Sequence, residues 1–234
     1  MNIAPTTADD QEDVAPGTTV NLPDLTGSDP DGTVDKYRID NLPDPADGIL
    51  YLGNTPVTSG DEIPADQLGN LTFVATPQFN GGSFTYSAID NNGEVDPTPA
   101  TVTLNAPPET PDGSQLVTPN TNVPLTVPTG SDSDGTVDKY RINTLPDATD
   151  GVLYIGNPNL GNVVTAGQLL NPTQLSQLVF KATPGFDGGS FTYSAIDNTG
   201  TADPTPATFV LATPPTTVDS LGKVNPGDTL QVPG

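Results

Sequence analysis

Apolar and polar residues alternate along several short stretches of the chain. In residues 33–39, TVDKYRI, Tyr37 and Ile39 fall on one face of an extended segment, while Lys36 and Arg38 fall on the other. Residues 82–90, GSFTYSAID, alternate in the same way. A period of two is typical of strands that bury one face. The pattern therefore predicts half-buried strands at both places.

Similar short apolar runs recur between clusters of Gly, Pro, Asn and Asp. They are GILYLG at residues 48–53, NLTFVAT at 70–76 and PATVTLN at 99–105. An earlier segment, residues 17–25, is expected to supply the first strand, with Val20 and Leu22 facing inward. About seven short strands in roughly 100 residues are typical of an antiparallel β-sandwich of the immunoglobulin or cadherin type. The 27 prolines and 24 glycines argue against any long helix.

The same pattern occurs twice. DGTVDKYRI stands at residues 31–39 and 134–142, GGSFTYSAIDN at 81–91 and 188–198, and DPTPAT at 96–101 and 203–208. We therefore expect an all-β chain of two tandem sandwich domains, unit 1 (residues 1–106) and unit 2 (residues 107–213). Residues 214–234 repeat the opening of a unit and are expected to form the first strand of a third. Aromatic residues kept at matched positions argue against a disordered chain.

The two copies differ in length between the apolar runs that correspond to GILYLG (residues 48–53) and NLTFVAT (residues 70–76) of unit 1. Unit 2 has four more residues there than unit 1, because the offset between matched motifs rises from 103 to 107. Surface loops accommodate such insertions at little cost. We expect a loop with one short helical turn, around residues 63–68 in unit 1 and 172–178 in unit 2.

The charge of the chain is strongly one-sided. Six basic residues stand against 29 acidic ones, which gives a formal net charge of −23. Such a chain repels nucleic acid and anionic membranes and attracts cations. No run of about 18 apolar residues occurs, so no membrane insertion is expected. Histidine, cysteine and tryptophan are absent, which removes thiol nucleophiles, imidazole bases and zinc or haem sites.

Acidic residues gather in two kinds of turn. SDPDG and SDSDG place aspartates two residues apart just before a strand, and AIDNNGEVD and AIDNTGTAD follow another strand. Oxygen ligands at alternate positions around a glycine suit a hard cation such as calcium. The candidate calcium ligands are Asp29, Asp31, Asp90, Asn92, Glu94 and Asp96 in unit 1 and Asp132, Asp134, Asp197 and Asp203 in unit 2.

Two features complicate this interpretation. Unit 2 has Thr199 and Thr201 in place of Asn92 and Glu94, so its site should be weaker or differently built. Asp, Asn and Gly also populate β-turns for backbone reasons alone, since Asp side chains accept hydrogen bonds from nearby amides. Both interpretations of the turns stay open at this point.

The few basic residues are expected to be exposed and to take no part in catalysis. Lys36 and Arg38 should lie on the outer face of a strand and pair with carboxylates of neighbouring strands. An intramolecular isopeptide bond from Lys36 or Lys139 would need a buried lysine, which the alternation does not predict. A carboxylate pair such as Asp31 and Asp35 could in principle serve glycoside hydrolysis, but nothing indicates a cleft. We expect no enzymatic activity.

Several phrases together resemble a known class of repeat. The opening AP..ADD, the turn SD.DGTV, the phrase ATP.F.GG.SFTYSA.D..G and the closing D.TPATV are similar to tandem repeats of about a hundred residues in giant bacterial surface adhesins, which are cadherin-like or immunoglobulin-like domains. The resemblance implies a calcium-stiffened extracellular stalk, part of a larger secreted protein at the cell surface. Its partners would be neighbouring repeats of the same protein.

The linker departs from the cadherin pattern. LNAPPE, residues 104–109, lacks the acidic segment that clamps calcium between cadherin domains. Calcium is therefore expected within a unit, at the turn after residue 28 or after residue 89. The linker prolines are expected to stiffen the connection instead.

Two other functions stay open. The chain could be a carbohydrate- or ligand-binding module in which Tyr51 and Tyr154, or the variable loop, form a platform. It could also be a fibre subunit in which residues 214–234 add a strand to another chain, a form of self-association.

Overall fold

The computed structural model describes residues 2–22 and 25–215. Strands make up 44% of the described residues and helices 7%, which confirms the predicted all-β class. The strands of unit 1 are β1 (Thr6–Thr7), β2 (Asp10–Asp13), β3 (Thr19–Asn21), β4 (Gly27–Ser28), β5 (Val34–Asn41), β6 (Gly48–Leu52), β7 (Thr55–Pro56), β8 (Glu62–Pro64), β9 (Leu71–Ala75), β10 (Gly82–Asp90) and β11 (Ala100–Asn105). The strands of unit 2 are β12 (Gly113–Leu116), β13 (Asn122–Pro124), β14 (Val137–Ile142), β15 (Gly151–Ile155), β16 (Leu169–Leu170), β17 (Leu178–Ala182), β18 (Gly189–Asp197) and β19 (Ala207–Ala212).

Each unit is built from two facing sheets. In unit 1 the larger sheet has the order β2-β11-β10-β5-β8 and the smaller one β3-β9-β6-β7. Unit 2 repeats this arrangement with β12-β19-β18-β14-β16 and β13-β17-β15. The two copies of the sequence therefore share the main topology. The two-stranded sheet β1-β4 and the strand β7 of unit 1 are matched in unit 2 only by the isolated bridges Glu109–Ser131 and Tyr154–Val163.

One pairing in each unit is parallel, which differs from the purely antiparallel prediction. Strand β2 runs parallel to β11, and β12 runs parallel to β19. A parallel pair needs a long connection. Here the two strands come from opposite ends of a unit, so the rest of the sandwich supplies that connection.

The inward faces of the sheets form two separate cores. The first lies between Val14 and Ala106 in the sequence and the second between Val117 and Leu211. Leu22 and Leu125 are buried, and Val20 and Val123 pack against the cores as predicted for the first strands.

The alternating strands also behave as predicted. Tyr37 and Ile39 are buried, as are Phe84, Tyr86 and Ala88. Ser87 is an exception, since it is fully buried on the opposite face of β10 and donates a hydrogen bond to Asp40 Oδ2 at 2.6 Å.

The variable region contains the short helical turns that were expected. In unit 1 a 3-10 helix spans Ala65–Asn70, and in unit 2 the helix α1 spans Pro172–Ser176. Asn171 caps α1 in a capping box with Gln174. A further 3-10 helix, Pro158–Leu160, lies in the longer loop of unit 2.

The basic side chains lie outside, as the alternation predicted. Lys36 pairs with Glu62 on the neighbouring strand β8 at 3.0 Å, and both side chains are more than 40% exposed. Arg38 instead pairs with Asp40 of its own strand at 2.6 Å, and Lys139 pairs with its neighbour Asp138 at 2.9 Å. Exposed pairs of this kind contribute about 0–1 kcal/mol.

Candidate functional site: the acidic turns and the boundary between the units

The two kinds of acidic turn lie side by side because of strand pairing. In unit 1 Asp90, at the end of β10, pairs with Val34, at the start of β5, so the turn after β10 lies beside the turn before β5. In unit 2 Asp197 pairs with Val137 in the same way. We call residues 28–32 and residues 131–135 the acidic turns of units 1 and 2. Each unit thus brings its acidic turn next to the aspartate that ends its longest strand.

An asparagine is hydrogen-bonded to this cluster in each unit: Asn2, near the start of unit 1, and Asn105, just before the start of unit 2. Asn2 Nδ2 donates to Asp90 Oδ2 at 2.6 Å, and the next amide, that of Ile3, donates to Asp31 Oδ1 at 3.1 Å. In unit 2 Asn105 Nδ2 donates to Asp197 Oδ2 at 3.0 Å, and the amide of Ala106 donates to Asp134 Oδ2 at 2.9 Å. The contacts are repeated at a spacing of 103 residues for Asn2, Ile3 and Asp31 and of 107 residues for Asp90.

Asn105 also connects the two units. Its amide group donates to Asp13 Oδ1 of unit 1 at 3.1 Å as well as to Asp197 of unit 2, and the residue is 4% exposed. Asn2 is exposed. The sequence predicted only that this linker lacks an acidic calcium clamp, and it did not predict this contact.

The acidic turn of unit 2 rests directly on unit 1. Ser133 Oγ donates to the backbone oxygen of Asn80 at 3.1 Å. The side chain of Asp134 lies where a Cβ on Gly81 would be, so only glycine leaves room for it. Gly81 also has φ +103, a conformation that favours glycine. Gly81, the first glycine of the repeated GG pair, is therefore a contact between units.

A cavity of about 320 Å³ lies at this boundary. Its lining comes from both units: Pro16, Pro77, Gln78, Phe79, Asn80, Ala106, Pro107, Glu109, Ser131, Asp132 and Ser133. Two of these residues, Glu109 and Asp132, carry carboxylates.

The carboxylate of Asp132 is buried without a partner. Among the described residues neither Oδ1 nor Oδ2 receives a hydrogen bond of ordinary geometry, and in unit 1 Oδ2 of the matched Asp29 is in the same condition. Burial raises the pKa of the Asp132 carboxyl, and the neighbouring Asp134 carboxyl raises it further. A buried charged group without a partner is costly, so it needs an explanation.

A second oxygen faces the same spot in each unit. A Cβ on Gly135 would lie 2.6 Å from Asp132 Oδ2 and would also contact Asn198 Oδ1, so the two oxygens converge over the glycine. In unit 1 Asp29 Oδ2 and Asn91 Oδ1 converge over Gly32 in the same way. Asn91 and Asn198 keep their positions through hydrogen bonds from the amides of Thr33 and Thr136.

Asp90 and Asp197 are also committed to their turns. Asp90 Oδ1 accepts the amides of Asn92 and Glu94, each at 2.8 Å. Asp197 Oδ1 accepts the amides of Thr199, Gly200 and Thr201. Burial raises the pKa of both carboxyls, but these hydrogen bonds and those from Asn2 and Asn105 outweigh it and lower the pKa values. Both groups therefore stay ionised.

Asp96 and Asp203 lie apart from the acidic turns and bind threonines. Asp96 Oδ1 accepts the amide and hydroxyl of Thr98, and Oδ2 accepts those of Thr7. Asp203 accepts both groups of Thr205 and the amide of Thr110. Each carboxylate fastens the opening segment of its unit to the turn before the last strand. This is the backbone role that the sequence left open for acidic residues in turns.

Asn92 and Glu94 are exposed. Asn92 Nδ2 donates to Asn2 Oδ1 at 2.7 Å, so it supports the asparagine that contacts Asp90. Thr199 and Thr201, their counterparts in unit 2, supply amides to Asp197 as Asn92 and Glu94 do to Asp90, and the hydroxyl of Thr199 also donates to Asp197 at 2.7 Å.

As they stand, the acidic side chains do not form a closed metal cage. Within residues 2–22 and 25–215, no three carboxylates or other strongly ligating side chains converge on one point. A cation would need the carboxylates of the acidic turn together with an asparagine oxygen, backbone carbonyls or water, all of which are ligands that calcium accepts. The unpartnered oxygens of Asp132 and Asp29 fit such a cation.

Several residues of this cluster were not singled out from the sequence. They are Asn2, Asn91, Asn105 and Asn198, together with Gly81. The signal was present in the repeats, since NIAP at residues 2–5 aligns with NAPP at 105–108, and IDN closes the long strand in both units.

The tyrosines considered as a ligand platform are both half-buried. Tyr51 lies on β6 and Tyr154 on β15, at matched positions of different units. This exposure neither supports nor excludes the platform, which stays a prediction. Strand addition by residues 214–234 concerns a segment of which residues 216–234 lie outside the described part of the chain. In the described residues no helix has the length and apolar character to cross a membrane.

Comparisons with known proteins give no family assignment. No family model matches the chain, and no curated protein matches it. Among solved structures, the fibronectin(III)-like modules of Clostridium thermocellum CbhA are 16% identical, with a TM-score of 0.31 over 89% of this chain and 93% of that one. Mouse cadherin-23 EC22–24 is 16% identical, with a TM-score of 0.30 over 91% and 67% of the two chains. Likeness at this level carries no argument about function.

Proposed function

We propose that the chain is a structural spacer segment of a repetitive bacterial cell-surface adhesin or extracellular filament, without enzymatic activity. In this proposal calcium binds at the acidic turns and stiffens the contact between neighbouring units. The observation that carries it is the unpartnered, buried carboxylate of Asp132, which lies where unit 2 meets unit 1. A divalent cation would supply the missing partner.

Repetition of the arrangement supports the proposal. Unit 1 has the same acidic turn, the same preceding asparagine and an unpartnered oxygen on Asp29. A chance excess of acidic residues would not place unsatisfied oxygens at the same position of both units. The net charge of −23 adds a general reason, because bound cations reduce the repulsion among the carboxylates.

The acidic turns also lie where a bound cation would make the connection between the two units more rigid. Asp132 and Asp134 belong to unit 2, but Asp134 rests on Gly81 of unit 1 and on the linker amide of Ala106. A cation held by these carboxylates would fix the linker and both units at one point. Since Asp90 and Asp197 are occupied by the amides of their own turns, we narrow the proposed ligands to Asp132 and Asp134 in unit 2 and to Asp29 and Asp31 in unit 1. The side-chain oxygens of Asn198 and Asn91 lie beside these carboxylates.

The proposal is tested by thermal melting of Asp132→Asn in chelator and in millimolar calcium. In chelator the variant is expected to be as stable as the wild type or more stable, since it removes a buried charge beside Asp134. In calcium it is expected to be less stable, since it loses a ligand. At 100 times the dissociation constant, one bound ion contributes about 2.7 kcal/mol.

The matched control is Asp35→Asn, which removes the same charge from an exposed position on β5. It should shift the melting temperature by the same small amount in both buffers. The proposal is contradicted if the wild type melts at one temperature with and without calcium, or if the two variants respond alike.

A further inference from the structure

The chain contains two Asn-Gly dipeptides, Asn80-Gly81 and Asn92-Gly93, and both asparagines are exposed. In such a dipeptide the backbone nitrogen of the glycine can attack the side-chain amide of the asparagine, because glycine has no side chain to hinder the approach. Both glycines have positive φ, +103 and +90. The two dipeptides therefore share their local chemistry, and their surroundings in the fold distinguish them.

The fold holds both reacting groups of the Asn92-Gly93 dipeptide. The amide of Gly93, which would be the nucleophile, donates to the backbone oxygen of Asp90 at 3.1 Å. The side-chain amide of Asn92, which would be attacked, donates to Asn2 Oδ1 at 2.7 Å. The reaction requires that both hydrogen bonds break, so the fold slows it here.

The Asn80-Gly81 dipeptide is not held in this way. Within the described part of the chain, neither the side chain of Asn80 nor the amide of Gly81 has a hydrogen-bond partner. Asn80 also lines the cavity of about 320 Å³ between the units. Water therefore reaches the dipeptide, and a small leaving group can escape from it.

Unit 2 also activates the peptide group between Asn80 and Gly81. Ser133 Oγ donates to the backbone oxygen of Asn80 at 3.1 Å, and this oxygen belongs to the same peptide group as the Gly81 nitrogen. The attacking species is the deprotonated nitrogen, which shares its negative charge with that oxygen. A hydrogen bond to a charged acceptor is stronger than one to a neutral acceptor, so Ser133 favours the deprotonated form.

We infer that Asn80 is a site of spontaneous deamidation in the folded protein and that Asn92 is protected from it. The Gly81 nitrogen attacks Cγ of Asn80, the C–N bond of the side-chain amide breaks, and water carries the Gly81 proton to the departing ammonia. The product is a cyclic succinimide. Water then opens the ring at either carbonyl and leaves aspartate or isoaspartate. The reaction needs no metal ion, so the inference does not rest on the proposed function.

Deamidation changes the boundary between the units. Aspartate at position 80 adds a carboxylate to a cavity that already contains those of Glu109 and Asp132, and like charges repel. Isoaspartate lengthens the backbone and displaces the oxygen that Ser133 contacts. The matched residue of unit 2 is Asp187, so the turn itself accepts a carboxylate. The modification therefore loosens the contact between the units and leaves unit 1 folded.

The experiment follows both dipeptides by peptide mapping with mass spectrometry during incubation of the full chain at mildly alkaline pH. One sample is folded in chelator, and the other is unfolded in urea. In the unfolded chain the two asparagines should react at similar rates, because both precede glycine. In the folded chain Asn80 should react several-fold faster than Asn92. The inference is overturned if Asn80 is lost no faster than Asn92 in the folded chain.

Substitutions test the two causes separately. Ser133→Ala should slow the loss of Asn80 about fivefold, which is the equivalent of one hydrogen bond. Ser133→Thr keeps the hydroxyl and should restore the rate, and an unchanged rate in Ser133→Ala would overturn the role of Ser133. Asn2→Ala releases the side chain of Asn92, so it should speed the loss of Asn92 and leave that of Asn80 unchanged.

The effect on the boundary is tested with Asn80→Asp, which carries the aspartate product from the start. Asn54→Asp is the matched control, because it adds the same charge at an exposed turn of unit 1 outside the cavity lining. In chelator, nuclear magnetic relaxation should show more motion between the units for Asn80→Asp than for Asn54→Asp or the wild type. Equal motion in the two variants would show that deamidation does not act on the boundary.

Discussion

The side chain of Asn105 joins Asp13 of one unit to Asp197 of the next, through hydrogen bonds of 3.1 and 3.0 Å. A neutral amide thus lies between two carboxylates at a boundary that would otherwise bring like charges together. Asn2 makes the equivalent bond to Asp90 without a preceding unit. Comparing variants of the two asparagines therefore separates the stabilisation that the contact gives within a unit from the stabilisation that it gives between units.

Replacing Asn105 with alanine should therefore cost more than replacing Asn2. Asn105→Ala leaves the buried Asp197 without one of its donors and removes the bond to Asp13, which should cost about 1.5–3 kcal/mol. Asn2→Ala removes an exposed contact and should cost about 1 kcal/mol or less. Urea unfolding of both variants gives the comparison, and equal losses would show that the bond to unit 1 contributes nothing.

Gly81→Ala should weaken the contact between the units. Its Cβ would occupy the place of the Asp134 side chain, whereas a Cβ on Gly188 would meet only the Leu211 oxygen among the described residues, at 3.8 Å. Both glycines have positive φ, so the cost of backbone strain is common to the two variants and cancels in the comparison. Nuclear magnetic relaxation measures the motion of the two units relative to each other. This motion should increase for Gly81→Ala and stay unchanged for Gly188→Ala, both measured in dilute solution.

Much of the fold follows from the sequence because a period of two is a local signal. Tyr37 and Ile39 on β5 and Phe84 and Tyr86 on β10 are buried as their alternation predicts. The parallel pairing of β2 with β11 could not be predicted in this way. Residues 10–13, DQED, are all polar and alternate only in exposure, so their place in the sheet depends on a strand about 90 residues away.

The candidate site was predictable only in part, for a similar reason. The aspartates of the acidic turns stand out in the sequence, because D-x-D-G is a short local pattern. Asn105 does not, because its partners Asp13 and Asp197 are each about 92 residues away in sequence and only the fold brings them together. Asp96 shows the opposite case. The sequence predicts it as a calcium ligand, but in the fold its carboxylate accepts hydrogen bonds from Thr7 and Thr98.

Asp96 should contribute to stability in a pH-dependent way. Burial raises the pKa of its carboxyl, but hydrogen bonds from Thr7 and Thr98 outweigh this and lower the pKa. A carboxyl whose pKa is lower in the folded state stabilises the fold above its unfolded pKa, near 3.9, and loses that contribution as the pH falls through the folded value. Asp96→Asn should therefore cost about 2–3 kcal/mol at neutral pH.

The difference between Asp96→Asn and wild type should shrink as the pH falls below about 4. Urea unfolding in chelator at several pH values measures it, and Asp44→Asn, at an exposed loop position, is the control. A difference that is constant from neutral pH to pH values below about 4 would contradict the assigned role.

The hydroxyl groups of Tyr86 and Tyr193 should stabilise the two units to similar extents. Tyr86 Oη lies 2.7 Å from the oxygen of Ala8 and accepts the amide of Thr26 at 3.2 Å. Tyr193 Oη lies 2.8 Å from the oxygen of Pro111. Both residues are fully buried, so Tyr→Phe leaves backbone groups without partners and should cost about 1–3 kcal/mol in each unit. Calorimetry of each variant should show one unit destabilised and the other unaffected, and a shift of both units would mean that they unfold together.

The spacer model makes its last prediction about shape. A compact globule of 234 residues would have a radius of gyration of about 17.5 Å. Here unit 2 rests on unit 1 through an acidic turn and a linker asparagine, while the two hydrophobic cores stay separate. Such a contact joins domains end to end without merging them, so small-angle X-ray scattering should give a clearly larger radius.

Calcium should narrow the distribution of distances between the two units, because the cation would add a bond at the boundary between them. A radius near the compact value would contradict the spacer, and a distribution unchanged by chelator would show that the proline linker and Asn105 suffice to hold the units.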